Sequence, residues 1–221
     1  MPSFFARREG GRAVIEGGDA QHLARSLRAR VGEEIEVIDP AGFKLRVRLD
    51  GVSTERVTGT IVDEQPHQPE PAARVTIAIA NLPAPALELV LSRCTEAGAH
   101  AFCVFQADRS VARGSKPERW RTICREAAML AGRLHVPEVT HAPSLDAALA
   151  GASDSVMLVR GEKTPLSALV EPRDLTLLVG PEGGWTDREL ALVERKAGLG
   201  QRNLRADTAA LVALAVVLAG R

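Results

Sequence analysis

Apolar and polar positions alternate along several short stretches in the first third of the chain, which is typical of strands with one exposed face. These stretches are residues 33–39 (EEIEVID), 44–50 (KLRVRLD) and 56–63 (RVTGTIVD). Between the first two, PAG at 40–42 predicts a tight turn. Residues 19–30 instead place Leu23 and Leu27 four positions apart, with Asp19 able to cap the start, so they predict a short amphipathic helix. The first third is therefore predicted to be a small barrel-like β module with one helix.

The pattern changes after residues 64–73 (EQPHQPEPAA), whose three prolines predict a linker. Apolar runs that predict buried strands occur at 74–82, 101–106, 155–161 and 175–180. Helical patterns lie at 86–98, 117–133, 144–150 and 186–196, and in the C-terminal segment 208–221. Pro117 suits a first helical turn, and Gly98 lies where a helix would end. Alternating strands and helices predict an α/β fold with a parallel sheet covered on both faces, in a second domain at 71–221 that follows a first domain at 1–70.

Composition narrows the classes of protein that the chain can belong to. It has 221 residues, 28 basic and 28 acidic, so no strong unspecific attraction to nucleic acid is predicted from the total charge. Three cysteines without C-x-x-C spacing favour a reducing compartment, and the N-terminus lacks the apolar segment of a signal peptide. The longest apolar run, 209–220, is too short to cross a bilayer, so a soluble cytoplasmic protein without a membrane partner is expected. The five histidines lack metal-ligand spacing and no G-x-S-x-G motif occurs, so neither a metal site nor a hydrolase is predicted.

The stretch LLVGPEGGW at 177–185 places three glycines, a proline and one carboxylate at the end of a predicted strand. A hairpin would need only two turn residues, whereas a glycine-rich loop after a buried strand lets the backbone approach a ligand. The sequence is not a phosphate-binding loop, and Glu182 would repel a phosphate. A neutral or cationic ligand fits better, and a crowded turn without a ligand stays open as the alternative. The segments 159–165 and 199–214 should meet this loop at the same edge of the sheet.

LLVGPEGGWTDRELALV followed by LGQRNLRADTAALVAL resembles the paired C-terminal signature of the RsmE-type methyltransferases, which belong to the SPOUT class. The segments at 20–39, 90–111 and 119–139 are similar to further blocks of that family, so the resemblance covers nearly the whole chain. It implies methylation of N3 of a uridine in 16S ribosomal RNA, with S-adenosylmethionine as cofactor and rRNA or the small ribosomal subunit as partner. It also implies a PUA-like RNA-binding domain, a SPOUT domain with a deep C-terminal trefoil knot, and a homodimer.

The resemblance carries over to particular positions. The cofactor positions of the family fall on Leu178, Gly180, Glu182, Gly183, Gly184, Leu199, Gly200, Leu204 and Thr208. Loss of the N3 proton leaves negative charge on the uridine ring, and Arg205 is the first choice for the cation that stabilises it; pairing with Asp207 is the alternative. Glu182 is read equally as general base or as a structural acceptor.

Local charge supports an RNA partner. Residues 1–32 and 106–135 are each rich in arginine, although solvated helix faces would explain the same pattern. The predicted RNA contacts are Arg7, Arg8, Arg25, Arg28, Arg109 and Arg133.

The chain departs from the family pattern at Ala84, Arg93, Ala97, Leu130, Gln201, Asn203 and Asp207, which leaves the exact target nucleotide open. Two rival functions remain at this point. One is a knotted RNA-binding protein without catalysis, and the other is a methyltransferase of the same fold that acts on another RNA such as tRNA.

Overall fold

The computed structural model describes residues 4–152, 154–169 and 174–219. The chain divides into two compact units. The first ends at Glu70 and also includes Ala128–His135; the second contains Pro71–Ala127 and the chain from Val136 onward. The second unit thus begins at residue 71, but Ala128–His135 belong to the first unit rather than to the domain predicted at 71–221.

The first unit is built on a six-stranded sheet. Its elements are β1 (Phe4–Phe5), β2 (Arg7–Glu9), β3 (Arg12–Glu16), α1 (Gly18–Gln21), β4 (Glu34–Asp39), β5 (Phe43–Val52) and β6 (Arg56–Pro66). The order is β1-β4-β5-β6-β3-β2, and the two edge strands are separated in sequence by Ala6 alone. The sheet therefore curves until its edges approach, as the prediction of a barrel-like module requires. Apolar residues on the inner face of the strands form the core of this unit.

Of three local predictions in this unit, one is confirmed and two are wrong in their bounds. The turn predicted at 40–42 is confirmed, since the Gly42 N–H donates to Asp39 O between β4 and β5. The helix predicted at 19–30 is shorter: α1 ends at Gln21 and continues as a π-helical turn, His22–Ser26, without a side-chain cap from Asp19. The linker predicted at 64–73 was placed too early, because β6 continues to Pro66 by pairing with β5.

The second unit has a six-stranded sheet in which every pairing is parallel. Its strands are β7 (Val75–Ala80), β8 (Ala101–Phe105), β9 (Glu138–Ala142), β10 (Ser155–Leu158), β11 (Leu175–Val179) and β12 (Lys196–Ala197), and their order is β12-β10-β11-β7-β8-β9. Its helices are α2 (Ala84–Glu96), α3 (Pro117–Ala131, whose last residues lie in the first unit), α4 (Leu145–Ala150), α5 (Asp187–Ala191) and α6 (Ala206–Ala219). Alternate residues of β7 enter two separate apolar clusters, so the prediction of a parallel sheet covered on both faces is confirmed.

The helix predicted at 186–196 is much shorter in the structure. Only Asp187–Ala191 are helical, and Lys196–Ala197 pair with β10 as a strand. A helix to residue 196 would deprive β10 of this neighbour. Sheet pairing, a tertiary interaction, therefore overrides the local helical pattern.

Candidate active site

A pocket of about 400 Å³ lies at the carboxyl edge of the second sheet. Its walls come from the ends of β10, β11 and β12 and from the first residues of α6. Ligands of open α/β sheets bind at this edge, because the loops that leave parallel strands meet there. The three segments expected to converge, which follow β10, β11 and β12, all contribute to the pocket.

Trp185 fixes the position of the glycine-rich loop. Its indole Nε1–H donates to Leu158 O at 2.8 Å, and its ring stacks on Phe105 with an interplanar angle of 3°. A Cβ at Gly180 would lie 2.8 Å from this indole ring, so a side chain there would displace Trp185. Gly180 is therefore required by close packing within the loop, and the loop is tied to the end of β10.

Glycine is required at positions 184 and 183 for different reasons. Gly184 has φ +69°, a left-handed conformation that glycine adopts without strain, and its N–H donates to Pro181 O at 2.9 Å. A Cβ at Gly183 would lie 3.1 Å from Cβ of Arg109. The Arg109 guanidinium donates to Gly183 O at 3.1 Å and to Trp185 O at 3.0 Å. Arg109 thus holds the loop from the segment that follows β8.

Hydrogen bonds between polar and charged side chains connect the C-terminal end of the same loop to α5. Thr186 caps this helix, and the buried carboxylate of Glu189 accepts from the backbone N–H of Thr186 and of Asp108. Asp108 also accepts from Arg188 and from the Thr186 hydroxyl, and these hydrogen bonds hold the pKa of its carboxyl below the ordinary value. Arg188 bonds Asp146 as well, so three segments of the chain meet beside the pocket.

The loops that follow β10 and β12 contact each other closely. The Gly198 N–H donates to Thr164 O at 2.8 Å, and the Leu166 N–H donates to Gly198 O at 3.0 Å. A Cβ at Gly198 would lie 2.3 Å from Glu162 O, so only glycine fits where the two backbones cross. Sequence reasoning did not single out Gly198; the crossing that requires it joins residues far apart in sequence.

The pocket collects most of the predicted cofactor positions. Seven of them line it: Gly180, Glu182, Gly183, Gly184, Leu199, Gly200 and Leu204. Leu178 does not line it and is buried in the core behind the loop, while Thr208 is exposed on α6, with its hydroxyl on Asp207. Sequence reasoning missed Arg160, Trp185, Arg202 and Asn203, which also line the pocket.

Both predicted catalytic side chains are at the pocket and open to solvent. The Arg205 side chain is 76% exposed, and its guanidinium lies 3.6 Å from the Asp207 carboxylate. The pairing with Asp207 that was the alternative role is therefore present, although it is long and the guanidinium is exposed. Glu182 is exposed and is the one carboxylate among the lining residues that the structure describes.

The arginines predicted to contact RNA fall into distinct environments. The prediction that Arg133 contacts RNA is corrected, because Arg133 is 3% exposed and its guanidinium donates to Glu70 at 3.1 and 2.5 Å. Its side chain is therefore inaccessible to RNA. Arg8 bonds Asp39 at 2.5 Å and Glu64 at 2.7 Å, and Arg7 lies 2.8 Å from Glu9. Arg25 and Arg28 are exposed, and Arg28 has φ +53°, a strained conformation for a residue with a side chain.

Neither a metal site nor a membrane-spanning helix is found among the described residues. Residues 4–152, 154–169 and 174–219 contain no group of three or more histidine, cysteine, aspartate or glutamate side chains placed to hold a metal ion. In those same ranges no helix is long and apolar enough to cross a membrane.

Comparison with known proteins gives consistent matches over nearly the whole chain. The model of the RNA methyltransferase domain family matches residues 68–218. The ribosomal RNA small subunit methyltransferase E of Bacillus subtilis (strain 168) is 32% identical, over 92% of this chain and 88% of its own length. The protein of the same name from Synechocystis sp. is 34% identical, over 89% and 69%. The crystal structure of a ribosomal RNA small subunit methyltransferase E from Neisseria gonorrhoeae bound to S-adenosyl methionine is 25% identical, with a TM-score of 0.86 over 97% of this chain and 95% of that chain.

Proposed function

The chain belongs to the RNA methyltransferase family that includes the ribosomal RNA small subunit methyltransferases E, and we propose that it methylates N3 of a uridine in 16S rRNA with S-adenosylmethionine. The observation that carries the proposal is the pocket at the carboxyl edge of the sheet, which gathers seven of the nine cofactor positions inferred from the family resemblance. These positions come from two segments of the sequence, 180–184 and 199–204, so their convergence is a result of the fold.

The lining of the pocket suits S-adenosylmethionine. Backbone groups of Gly183, Gly184 and Gly200 can contact an adenine without interference from side chains. Apolar side chains such as Val179 and Leu199 can cover its faces, and Glu182 supplies one negative charge for a cationic ligand. A volume of about 400 Å³ lies within the usual range for a small-molecule site. When bound, the cofactor supplies a methyl group made electrophilic by the positive sulfonium.

The protein's own task is to prepare the uridine. N3 becomes nucleophilic when its proton leaves, and the electron pair that remains is shared with O2 and O4 of the ring. Arg205 can donate hydrogen bonds to these oxygens and stabilise the anion, since its guanidinium is exposed at the pocket. Glu182 is the candidate to accept the N3 proton. N3 then bonds to the methyl carbon as the carbon–sulfur bond breaks, and the sulfur keeps that electron pair.

Several finer features belong to the same proposal. The backbone crossing of Gly198 and Glu162 supports a trefoil knot, because it brings the chain after β12 against the loop after β10. The barrel-like sheet supports a PUA-like RNA-binding domain built on residues 1–70, with the SPOUT domain in the rest of the chain except Ala128–His135, which belong to the first unit. Arg25 and Arg28 are both exposed and are the proposed RNA contacts in that sheet's unit. A homodimer, a location in the cytoplasm and the small ribosomal subunit as partner complete the proposal.

The test uses the full chain. Titration calorimetry should show one S-adenosylmethionine site per chain, and 16S rRNA from a strain without the enzyme should gain one methyl group on a uridine, located by mass mapping and primer extension. Binding without methylation of free rRNA or of small subunits would favour a non-catalytic RNA-binding protein. Methylation of tRNA instead of rRNA would favour the other rival function.

A further inference from the structure

Two arginines on the rim of the pocket have no task in the chemistry above. Arg160 follows β10 and Arg202 follows β12, and both line the pocket with exposed side chains. Within the described part of the chain, neither makes an ion pair or a hydrogen bond with another side chain. Two other exposed arginines of the same unit differ, because Arg119 and Arg188 lie within 2.8 and 3.0 Å of carboxylates.

The fold places the two arginines along one wall. β10 and β12 are parallel neighbours with Leu158 opposite Ala197, so the loops that carry the arginines leave the same edge of the sheet. The backbone bonds of Gly198 to Thr164 and Leu166 hold these loops together. Glu182 comes from another loop, the one that follows β11. The pocket therefore has its carboxylate on one loop and Arg160 and Arg202 on two others.

This charge distribution points to an anion outside the cofactor. The sulfonium and the ammonium of S-adenosylmethionine are cations that unpaired arginines would repel, and its single carboxylate is the one group of the cofactor that could compete for them. A guanidinium offers planar paired donors that match a phosphate, and arginine is common where phosphates are bound. The exposure of both side chains favours a ligand that arrives from solvent and stays at the surface.

The chemistry of the substrate indicates which anion this is. N3 lies on the Watson–Crick edge of uracil, so the base must be unpaired and must approach the cofactor edge-first. A pocket of about 400 Å³ is the size of a single small-molecule site, which the cofactor takes, so the base meets the cofactor at the mouth of the pocket and the sugar–phosphate chain remains on the rim. Arg160 and Arg202 are located on that rim.

We propose that Arg160 and Arg202 form a phosphate-binding pair that holds the RNA backbone beside the target uridine while the base meets the cofactor at the mouth of the pocket. The inference rests on the proposed function, since it requires RNA as the substrate. Extruding a base costs stacking and pairing energy, and contacts to neighbouring phosphates offset that cost. Such contacts release counterions, so each should add about 0.7 to the steepness of the salt dependence for single-stranded RNA.

The experiment measures methylation by the full chain at several salt concentrations, on unmodified 16S rRNA and on small subunits that contain it. Arg160→Ala and Arg202→Ala should each raise KM for RNA about tenfold and lower the slope of log KM against log salt by about 0.7. Arg160→Lys and Arg202→Lys should retain most of the slope, because an ammonium also neutralises a phosphate. Arg74→Ala is the matched control, an exposed arginine just before β7 at the opposite edge of the sheet. It should behave as the wild type does.

The possible outcomes distinguish failure of the phosphate-binding pair from failure of the proposed function. An Arg160→Ala, Arg202→Ala double variant with the wild-type salt slope would overturn the inference while the proposed function stands. A loss of S-adenosylmethionine affinity by calorimetry, with the salt slope unchanged, would assign the arginines to the carboxylate of the cofactor and would also overturn it. A wild type that methylates neither substrate would refute the proposed function and the inference together. Both substitutions are at exposed positions, and thermal melts check that the variants remain folded.

Discussion

Arg205 is the residue on which the proposed chemistry depends most. Its side chain is 76% exposed and lies 3.6 Å from the Asp207 carboxylate, which is 10% exposed, and a long ion pair with a solvated guanidinium contributes little to stability. The guanidinium is therefore free to turn toward a bound base. Arg205→Ala should slow single-turnover methylation at saturating cofactor about a hundredfold or more, because a donor to the developing anion is lost. The affinity for S-adenosylmethionine, measured by calorimetry, should change much less.

Two companion variants separate this role from the structural alternative. Arg205→Lys should recover part of the rate, since an ammonium keeps the charge but not the planar pair of donors. Asp207→Asn removes the ion pair and should leave the rate near that of the wild type. A near-normal rate in Arg205→Ala would move the catalytic cation to another residue.

At the scale of elements, the glycine-rich loop is held from outside by Arg109. Two hydrogen bonds from its guanidinium end on Gly183 O and Trp185 O, within the loop predicted to bind the cofactor. Arg109→Ala should weaken S-adenosylmethionine binding about tenfold or more, as each lost bond is worth roughly 1 kcal/mol. The turnover number at saturating cofactor should fall less than the affinity, because a positioning residue acts through the loop.

Arg113→Ala is the control for this prediction, since Arg113 lies on the same segment but donates to Ser110 O within it. Arg109→Lys should restore part of the affinity, because an ammonium can reach one carbonyl. If Arg109→Ala binds the cofactor normally and loses only RNA affinity, the RNA contact predicted from the sequence is correct instead.

Glu70 joins the segment after β6 to Ala128–His135. Burial opposes its ionisation, but hydrogen bonds and charge from Arg133, with the N–H groups of His135 and Leu134, hold the pKa of its carboxyl below the ordinary value of 4.5. Glu70→Gln leaves the Arg133 charge buried, and should cost about 3 kcal/mol, the low end for a buried pair, because the Glu70 side chain is 28% exposed.

The sign of the pH dependence follows from the lowered pKa. The ionised carboxylate stabilises the fold above its unfolded pKa, and this stabilisation is lost as the pH falls through the folded-state pKa. The difference in free energy of unfolding between wild type and Glu70→Gln, from urea titrations, should therefore be largest near pH 7 and shrink below pH 4.5. Equal stability of the two proteins at neutral pH would contradict this account.

At the scale of the whole molecule, α6 presents an apolar surface to solvent. Val212, Ala215 and Ala219 are exposed along one face of this helix, whose other side enters the core. An uncovered apolar stripe of this kind favours association, which supports the proposed homodimer. Val212→Lys should convert a dimer to a monomer at micromolar concentration, as measured by light scattering. Val111→Lys, at an isolated apolar residue that is 91% exposed, should leave the mass unchanged. A monomeric wild type would remove the homodimer from the proposal.

The sequence predicted most of the second unit because its signals are local. Buried strands of a parallel sheet are continuous apolar runs, so β7, β8, β10 and β11 were found within a few residues of their bounds. The helices α2, α3 and α4 carry Pro117, Gly98 or a regular apolar face at the expected positions. Short elements without a long apolar run were missed: β1, β2, β3, β9 and β12 have two to five residues, too few for a periodic pattern.

By itself the sequence determined the α/β class, the change of pattern near residue 70, and the two segments that supply most of the pocket, because these depend on local composition and motif. Only the tertiary structure decided what each charged residue does. It buried Arg133 against Glu70, placed Arg109 on the loop carbonyls and put Arg160 and Arg202 on the rim. It also required glycine at 198, where two distant backbones cross. The sequence shows that a residue is an arginine but not what its guanidinium contacts. Its role depends on the carboxylate, carbonyl or solvent that the fold places beside that guanidinium.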